Sequence, residues 1–492
     1  MGLLDILKRK PRGRRALPVR YVRASYDAAQ TTDRNKRHWA AADALSPTAA
    51  LQPSVRRTIR NRARYEVANN SYAKGIVLTM ANYIVGTGPR LQLRTADREL
   101  NSAVETAFAA WADSIELARK LHTARQSQTE SGESFLTLVS NPARAAVGLP
   151  ILDVALVECD RVCAKWGTPA YTDVDTDDGI DYDPAGNPIN YAVMRQHPGD
   201  YAIAALYGWD DYAADSVIHL YRADRPGQRR GVSELASALP LFAILRRYTL
   251  AVLECAEQAA LPGGVIHTDA PAGGEAEAAT ANEAVDLNRG DWITLAGGWD
   301  ITQVKAEQPT GTYAEFKREV LNEIARCLNI PFNVAACNSS SYNYASGQLD
   351  HQAFFKFIGV EQAALASRVL DRIFAAWLVE AAFLYPQLRS LLGVVPAHEW
   401  LWDGIEHVDP EKQAAAQAAC LANGTTTLAR ECAKQKADWE AVMRQRAREI
   451  ALRKQLNAEL QLSDADWGGG TGGGAPTAGT KVDDNSGGTQ VE

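Results

Sequence analysis

A chain of 492 residues, 46% hydrophobic and 23% charged, is too long for one ordinary compact core and too apolar to stay unfolded. Its formal net charge of −7 argues against a protein built to grip DNA tightly, since phosphate neutralisation needs a basic surface. Seven cysteines, at 159, 163, 255, 327, 337, 420 and 432, are odd in number and dispersed, which argues for reduced thiols and against a disulfide framework.

The charge is unevenly spread. Residues 1–37 hold eleven Lys/Arg against three Asp/Glu and lack periodicity, so they read as a mobile basic arm. No apolar run follows MGLLDILKRK, so no secretory signal is expected. Residues 54–70 follow a helical pattern with Ser54 at the cap position. Arg56, Arg57, Arg60, Arg62 and Arg64 are scattered around this cylinder without an acidic residue among them, a candidate basic patch for nucleic acid or a partner. A second helix over 71–85 stops at Gly86-Thr87-Gly88-Pro89, LQLRT then alternates like a strand, and 101–118 is a third, amphipathic helix.

The stretch 134–222 has β composition, clearest at 135–139 and 189–194. Within it, 171–183 carries six aspartates and no base, and reads as a solvated acidic loop. A helix over 233–261 follows, ~43 Å long, which Pro240 should kink or divide. Its most apolar run, LPLFAILRRYTLAVL, is broken by Arg246 and Arg247, so no membrane span and no membrane partner are expected. Strand-like pieces at 264–268, 292–295 and 301–304 come next. Thr312 to Glu315 has capping-box spacing and opens a helix to 328 or 329. Residues 331–346 have no usable helical pattern. The longest helix is expected over 347–384, then further helices over 410–423, 426–435 and 438–460, and a Gly/Thr/Asp-rich tail.

The search for chemistry is mostly negative. Gly474 to Lys481 imitates a phosphate-binding loop with its last residues in the wrong order and no strand or helix around it. Asp173, Asp175 and Asp177 imitate a calcium loop, but Asp178 and Pro184 stand where it needs Gly and Glu. Cys159 and Cys163 have no second ligand pair for zinc and read as buried small residues. Ser134 lacks the glycine two residues on that a nucleophile elbow requires. His351 reads as a structural or interface residue. The expectation is no enzyme, no cofactor and no metal.

Four segments, in this order and at these intervals, carry a resemblance: Arg62 to Asn70 leading to Ile84–Pro89, Arg225-Pro-Gly-Gln-Arg-Arg-Gly231, Asn343 to His351, and Val408 to Lys412. Across roughly residues 38–460 the chain resembles the lambda-type portal proteins of tailed phages. The resemblance implies an α+β, mostly helical fold with wing, stem, clip and crown, assembling as a dodecameric ring. It places a flexible arm at 1–37, the wing at 38–232, stem helices at 233–262 and 309–330, and the clip at 263–308. A tunnel loop follows at 331–346, the long wing helix and its return at 347–408, the crown at 409–462 and a disordered tail at 463–492. The family often has Asn-Tyr-Ser-Ser followed by Arg or Lys where the long helix begins; Ala345 and Gln348 stand there instead.

The implied function is a ring at the capsid vertex through which double-stranded DNA is packaged and ejected. The implied partners are further copies of the chain, the DNA, the terminase large subunit, major capsid and scaffold proteins, and head-tail connector proteins. The implied location is the virion, and the host cytoplasm during assembly. Asn338, Ser339, Ser340, Ser341, Tyr342, Asn343 and Tyr344 would then line the DNA channel. Two other readings remain open from the residues: a monomeric adaptor binding DNA or capsid through the arginine helix, and a DNA-processing component of the packaging machinery.

Overall fold

The computed structural model describes residues 37–165, 175–200, 208–260, 264–268, 299–303, 312–340, 342–404 and 410–461. The arm to residue 36, Asp173, the strand expected at 292–295, Ser341, and the tail with its loop-like Gly474–Lys481 lie outside them. The fold is α+β and mostly helical.

Helices α1 (Pro53–Asn69) and α2 (Ser71–Val85) meet at Asn70, whose extended backbone ends the first and whose side chain accepts from the Tyr72 and Ala73 amides of the second. The cap of α1 is Gln52, not Ser54, because Pro53 can occupy the first turn without losing a hydrogen bond. Gly86 and Gly88, both at positive φ, turn the chain into β1 (Arg90–Leu93), which pairs antiparallel with the late strand β11 (His398–Leu401). Asp97 caps α3 (Arg98–Ser114). The single helix expected over 101–118 is broken at Glu116, in the left-handed region at φ 53°, and α4 (Leu117–Ser131) starts anew. Hydrophobic periodicity could not reveal α4, because its buried face includes Arg125, Gln128, Thr129 and Ser131.

The β-rich expectation for 134–222 resolves into two antiparallel sheets. In one, β2 (Glu133–Ser140) lies between β3 (Leu152–Val157) and β8 (Val217–Tyr221), with Phe135 opposite both Val157 and His219. The other runs β4 (Asp175–Asp177), β5 (Ile180–Tyr182), β6 (Pro188–Met194) and β7 (Trp209–Ala213). Phe135, Val157, Ile180, Tyr191 and Val193 share a small core between them.

Helix α5 (Leu239–Ala260) starts later than expected, since 234–238 form turns. Pro240 therefore sits in its first turn, where it is tolerated, and does not kink it. Strands β9 (Gly264–Thr268) and β10 (Trp299–Gln303) pair antiparallel. Helix α6 (Thr312–Cys327) is followed by a short helix, α7 (Phe332–Ala336), inside the stretch read as having no helix. Pro331 starts it, and Phe332, Val334 and buried Ala335 fasten it to the main core. The long helix begins at Tyr344 and not at 347, because Asn343 caps it. It runs as α8 (Tyr344–Leu365), widens into a π turn at Ala366–Leu370, and continues as α9 (Asp371–Leu384). The last helices, α10 (Pro410–Ala422), α11 (Leu428–Ala433) and α12 (Trp439–Leu460), fall close to their expected places.

The main core is centred on aromatic rings from α3, α9 and β11. Phe108 meets Phe374, Trp377 and Trp400 edge-on, with centroids 5.7, 5.1 and 5.6 Å away. Trp111 Nε1 donates to the Leu152 carbonyl at 2.9 Å, which joins this cluster to β3. No described helix is long and apolar enough to cross a membrane. Replacing Phe108 by alanine should cost about 3–5 kcal/mol by truncating the ring at the centre of this cluster. Urea unfolding of the variant against the parent chain measures it.

Candidate functional site

The expected basic patch is not one surface. Arg56, Arg60 and Arg64 are spaced by four residues, so they form one stripe of α1 rather than a scatter, and the stripe faces acidic residues. Arg56 donates to Asp178 at 2.5 Å and to the Leu51 carbonyl at 2.7 Å. Arg60 donates to Asp160 at 2.7 Å and to Glu133 at 3.3 Å. Arg64 reaches Glu158 at 2.5 Å and Asp160 at 2.7 Å. Arg57 and Arg62 alone of the five are exposed. The acidic loop is solvated only in part: Asp177 and Asp178 lie against Arg56 and Asp175 is bridged to Arg229, whereas Asp181 and Asp183 meet only neutral side chains such as Asn190 and Asn187.

The centre of this charge system is Glu133, the first residue of β2, which is fully buried. Its oxygens accept from Arg230 Nε at 3.0 Å, Arg230 Nη2 at 2.7 Å, and the Gly231 amide at 3.0 Å. His219 Nε2 lies 3.0 Å away on the neighbouring strand. Burial by itself would raise the carboxyl; Arg230 and the His219 hydrogen bond overcome it and hold Glu133 well below the usual carboxylate range. Burial depresses His219 in turn, so the ring is neutral and donates to Glu133, stacked on Phe135 at 4.2 Å.

This explains the segment Arg225–Gly231. The Gln228 side chain accepts from the Asp224 and Arg225 amides and donates to the Arg230 carbonyl, so the turn is shaped by one amide. Arg229 stacks over the Tyr182 ring. A β-carbon on Gly231 would fall 2.1 Å from the Gly132 carbonyl oxygen, so only glycine fits. Arg125 holds Glu234 through two hydrogen bonds, at 3.1 and 3.0 Å, a second buried pair just beyond this turn.

Glu158, Asp160 and His197 offer ligand atoms within 4.8 Å of one another. The Arg64 guanidinium already bridges both carboxylates, so a cation's place is taken by the protein. All seven cysteines are free thiols, and burial pushes Cys159 up to about 11, as suits an inert core residue.

The loop between α7 and α8 holds the other candidate residues. Asn338, Ser339, Ser340 and Asn343 are exposed, and Tyr342 is half-buried. The two asparagines are used within the loop: Asn338 Oδ1 accepts from the Ser340 amide, and Asn343 Oδ1 from the Ser346 amide as the cap of α8. Ser339 and Ser340 are left presenting short hydroxyls outward. Burial and the charge of Asp350 push the Tyr342 phenol up. Tyr344 is the first residue of α8.

Glu133, His219 and Arg230 were missed as a site in the sequence. The only signal was Arg230 within a motif that had no evident chemistry, because partners 86 to 97 positions apart leave no local pattern.

Residues 32–362 match the family model described as phage portal protein, lambda family. A probable portal protein of Halomonas phage phiHAP-1 is 23% identical over 433 residues, covering 81% of each chain. Portal protein B of Escherichia phage lambda is 23% identical over 193 residues, 37% of this chain and 36% of that one. Among solved structures, the neck of an empty gene transfer agent particle aligns with a TM-score of 0.46 at 16% identity, over 72% of this chain and 86% of its own. A portal protein of the HK97 family from Corynebacterium diphtheriae aligns with a TM-score of 0.28 at 11% identity, over 69% of this chain and 93% of its own.

Replacing Glu133 by glutamine should cost about 3 kcal/mol, because buried Arg230 loses its nearest counter-ion and keeps only Asp178 at 3.6 Å, while Arg60 is left with Asp160 alone. A depressed carboxylate contributes stability that is complete above its unfolded value, about 4.3, and is lost as the pH falls toward the folded one. Unfolding of the parent should therefore ease below that pH, and this part of the slope should vanish in Glu133→Gln. Urea titrations from pH 3 to 7, marked out by roughly that range, read both effects.

Proposed function

The chain belongs to the lambda family of phage portal proteins, and from that membership we propose that copies of it close into a dodecameric ring at a capsid vertex, through which double-stranded DNA is packaged and later ejected. The observation that carries the reading is the family match, continuous from residue 32 to 362. Surface chemistry supports it. Ile244, Leu250 and Leu253 of α5 and Phe316 of α6 are exposed, and such apolar faces are covered most simply by neighbouring copies.

In this reading residues 38–232 are the wing, α5 and α6 the stem, 263–308 the clip and 409–462 the crown. The loop 331–346 faces the channel. Its exposed Ser339 and Ser340 are uncharged, so phosphates meet weak hydrogen bonds and no deep electrostatic well, and the duplex can slide. The partners are the terminase large subunit at the clip, then head-tail connector proteins, with major capsid and scaffold proteins around the wing. Assembly takes place in the host cytoplasm and the finished ring belongs to the virion. The chain guides DNA and has no catalytic step of its own. A monomeric adaptor holding DNA by the arginine helix is disfavoured, because Arg56, Arg60 and Arg64 are spent on internal acids.

Lysine at both Ser339 and Ser340 tests the loop's place. The double variant should assemble as the parent does, since neither side chain is buried. It should package less DNA per procapsid at low salt and recover as salt rises, because phosphate wells are screened within about 10 Å at 0.1 M. Full-length packaging at the parental rate in all salts would remove the loop from the channel wall.

A further inference from the structure

The segment Asn343–His351 carries two residues, Asp350 and His351, that neither cap a helix nor fill the main core. Both lie on α8 one turn beyond Gly347, and both face back toward the loop. His351 Nε2 sits 3.0 Å from Asn333 Nδ2 on α7. Asn333 Oδ1 is buried without a hydrogen-bond partner, so His351 is what fixes that amide. The Asn333 backbone carbonyl in turn accepts from the Asn338 amide at 3.0 Å, at the point where Cys337, at φ 51°, turns the chain out of α7. His351 is itself steadied by Phe355, whose ring meets it edge-on and also lies beside Tyr83 of α2.

The other end of the loop is held on the same helix. The Tyr342 ring edge lies 3.7 Å from where a β-carbon on Gly347 would stand, ordinary van der Waals distance, so the ring rests over this turn of α8. Its hydroxyl meets Asp350 of α8 and the Phe332 and Asn333 backbone of α7. Tyr342 is half-buried while Asn338, Ser339, Ser340 and Asn343 are exposed.

We infer that His351 is a positioning residue for the channel loop: through Asn333 it ties the entry of the loop to α8, Tyr342 ties the exit over Gly347, and Ser339 and Ser340 are presented from a fixed base. This rests on the proposed channel role for its effect on DNA, but the fastening itself does not. A loop held at both ends resists the drag of a passing duplex, whereas a loose one samples many heights and obstructs it unevenly.

Hydrogen exchange on the full-length assembled protein tests the fastening without DNA. His351→Ala should speed exchange of the Asn338, Ser340 and Tyr342 amides about fivefold to tenfold, the loss expected for one hydrogen bond, with no change in α8 beyond Phe354. His351→Gln, which keeps a group able to meet the Asn333 amide, should return most of that protection. Tyr342→Phe, which keeps the ring over Gly347, should loosen the loop less than Tyr342→Ala. Packaged DNA per procapsid should fall in His351→Ala and recover in His351→Gln, with rings intact in both. Parental exchange in His351→Ala overturns the inference, and so does faster exchange with parental packaging. Neither result touches the channel reading itself, which the lysine variant of Ser339 and Ser340 decides separately.

Discussion

The carboxylate of Glu133 is buried where α4 gives way to β2, and two guanidiniums, an imidazole and a backbone amide converge on it. A charge in such a place costs several kcal/mol of lost hydration, which is offset only when its partners arrive in good geometry. Those partners come from α1, β8 and the turn before α5. The acid can therefore be buried only when helix layer, sheet and turn have found one register, and the ion pairs then specify an arrangement that apolar packing would leave looser. Arg56 and Arg60 extend the same system to Asp178 and Asp160, so the second sheet is oriented by it too.

That arrangement separates charge from the surface the proposed function uses. Two basic side chains that could have held phosphate, Arg56 and Arg60, are buried and a third, Arg64, is tied to carboxylates, and the loop between α7 and α8 presents serine hydroxyls. In the proposed reading, a ring that must let DNA run in both directions would gain from this division, with rigidity from the buried ion pairs and low friction from uncharged groups if the loop lines the axis. The acidic net charge of the chain acts in the same direction, since it limits nonspecific capture of nucleic acid.

The elements legible in the sequence were those with an apolar stripe or clear start and stop residues. Helix α2 ends where its glycines end it, α10 starts at its proline, and α11 and α12 follow their caps. Helix α4 was invisible because Arg125, Gln128 and Thr129 are buried there against Glu234 and not against hydrocarbon. The arginine stripe of α1 was read by charge alone. Its four-residue spacing was available, but the acids that meet it lie roughly a hundred residues away. Motifs that the family resemblance supplied without a reason acquire one: Arg230 and Gly231 close the buried charge system, and His351 holds the foot of the loop. For α7, five residues are too few for periodicity to register, and only Pro331 marked its start.

The proposed role requires that copies of the chain close into a ring. Light scattering together with negative-stain images of the purified full-length protein, at micromolar concentration and over a range of salt, tests it most directly. Closed rings with an open axis are expected, persisting as salt rises because apolar helix faces and not surface charges hold the copies together. Stable monomers under all of these conditions would contradict it.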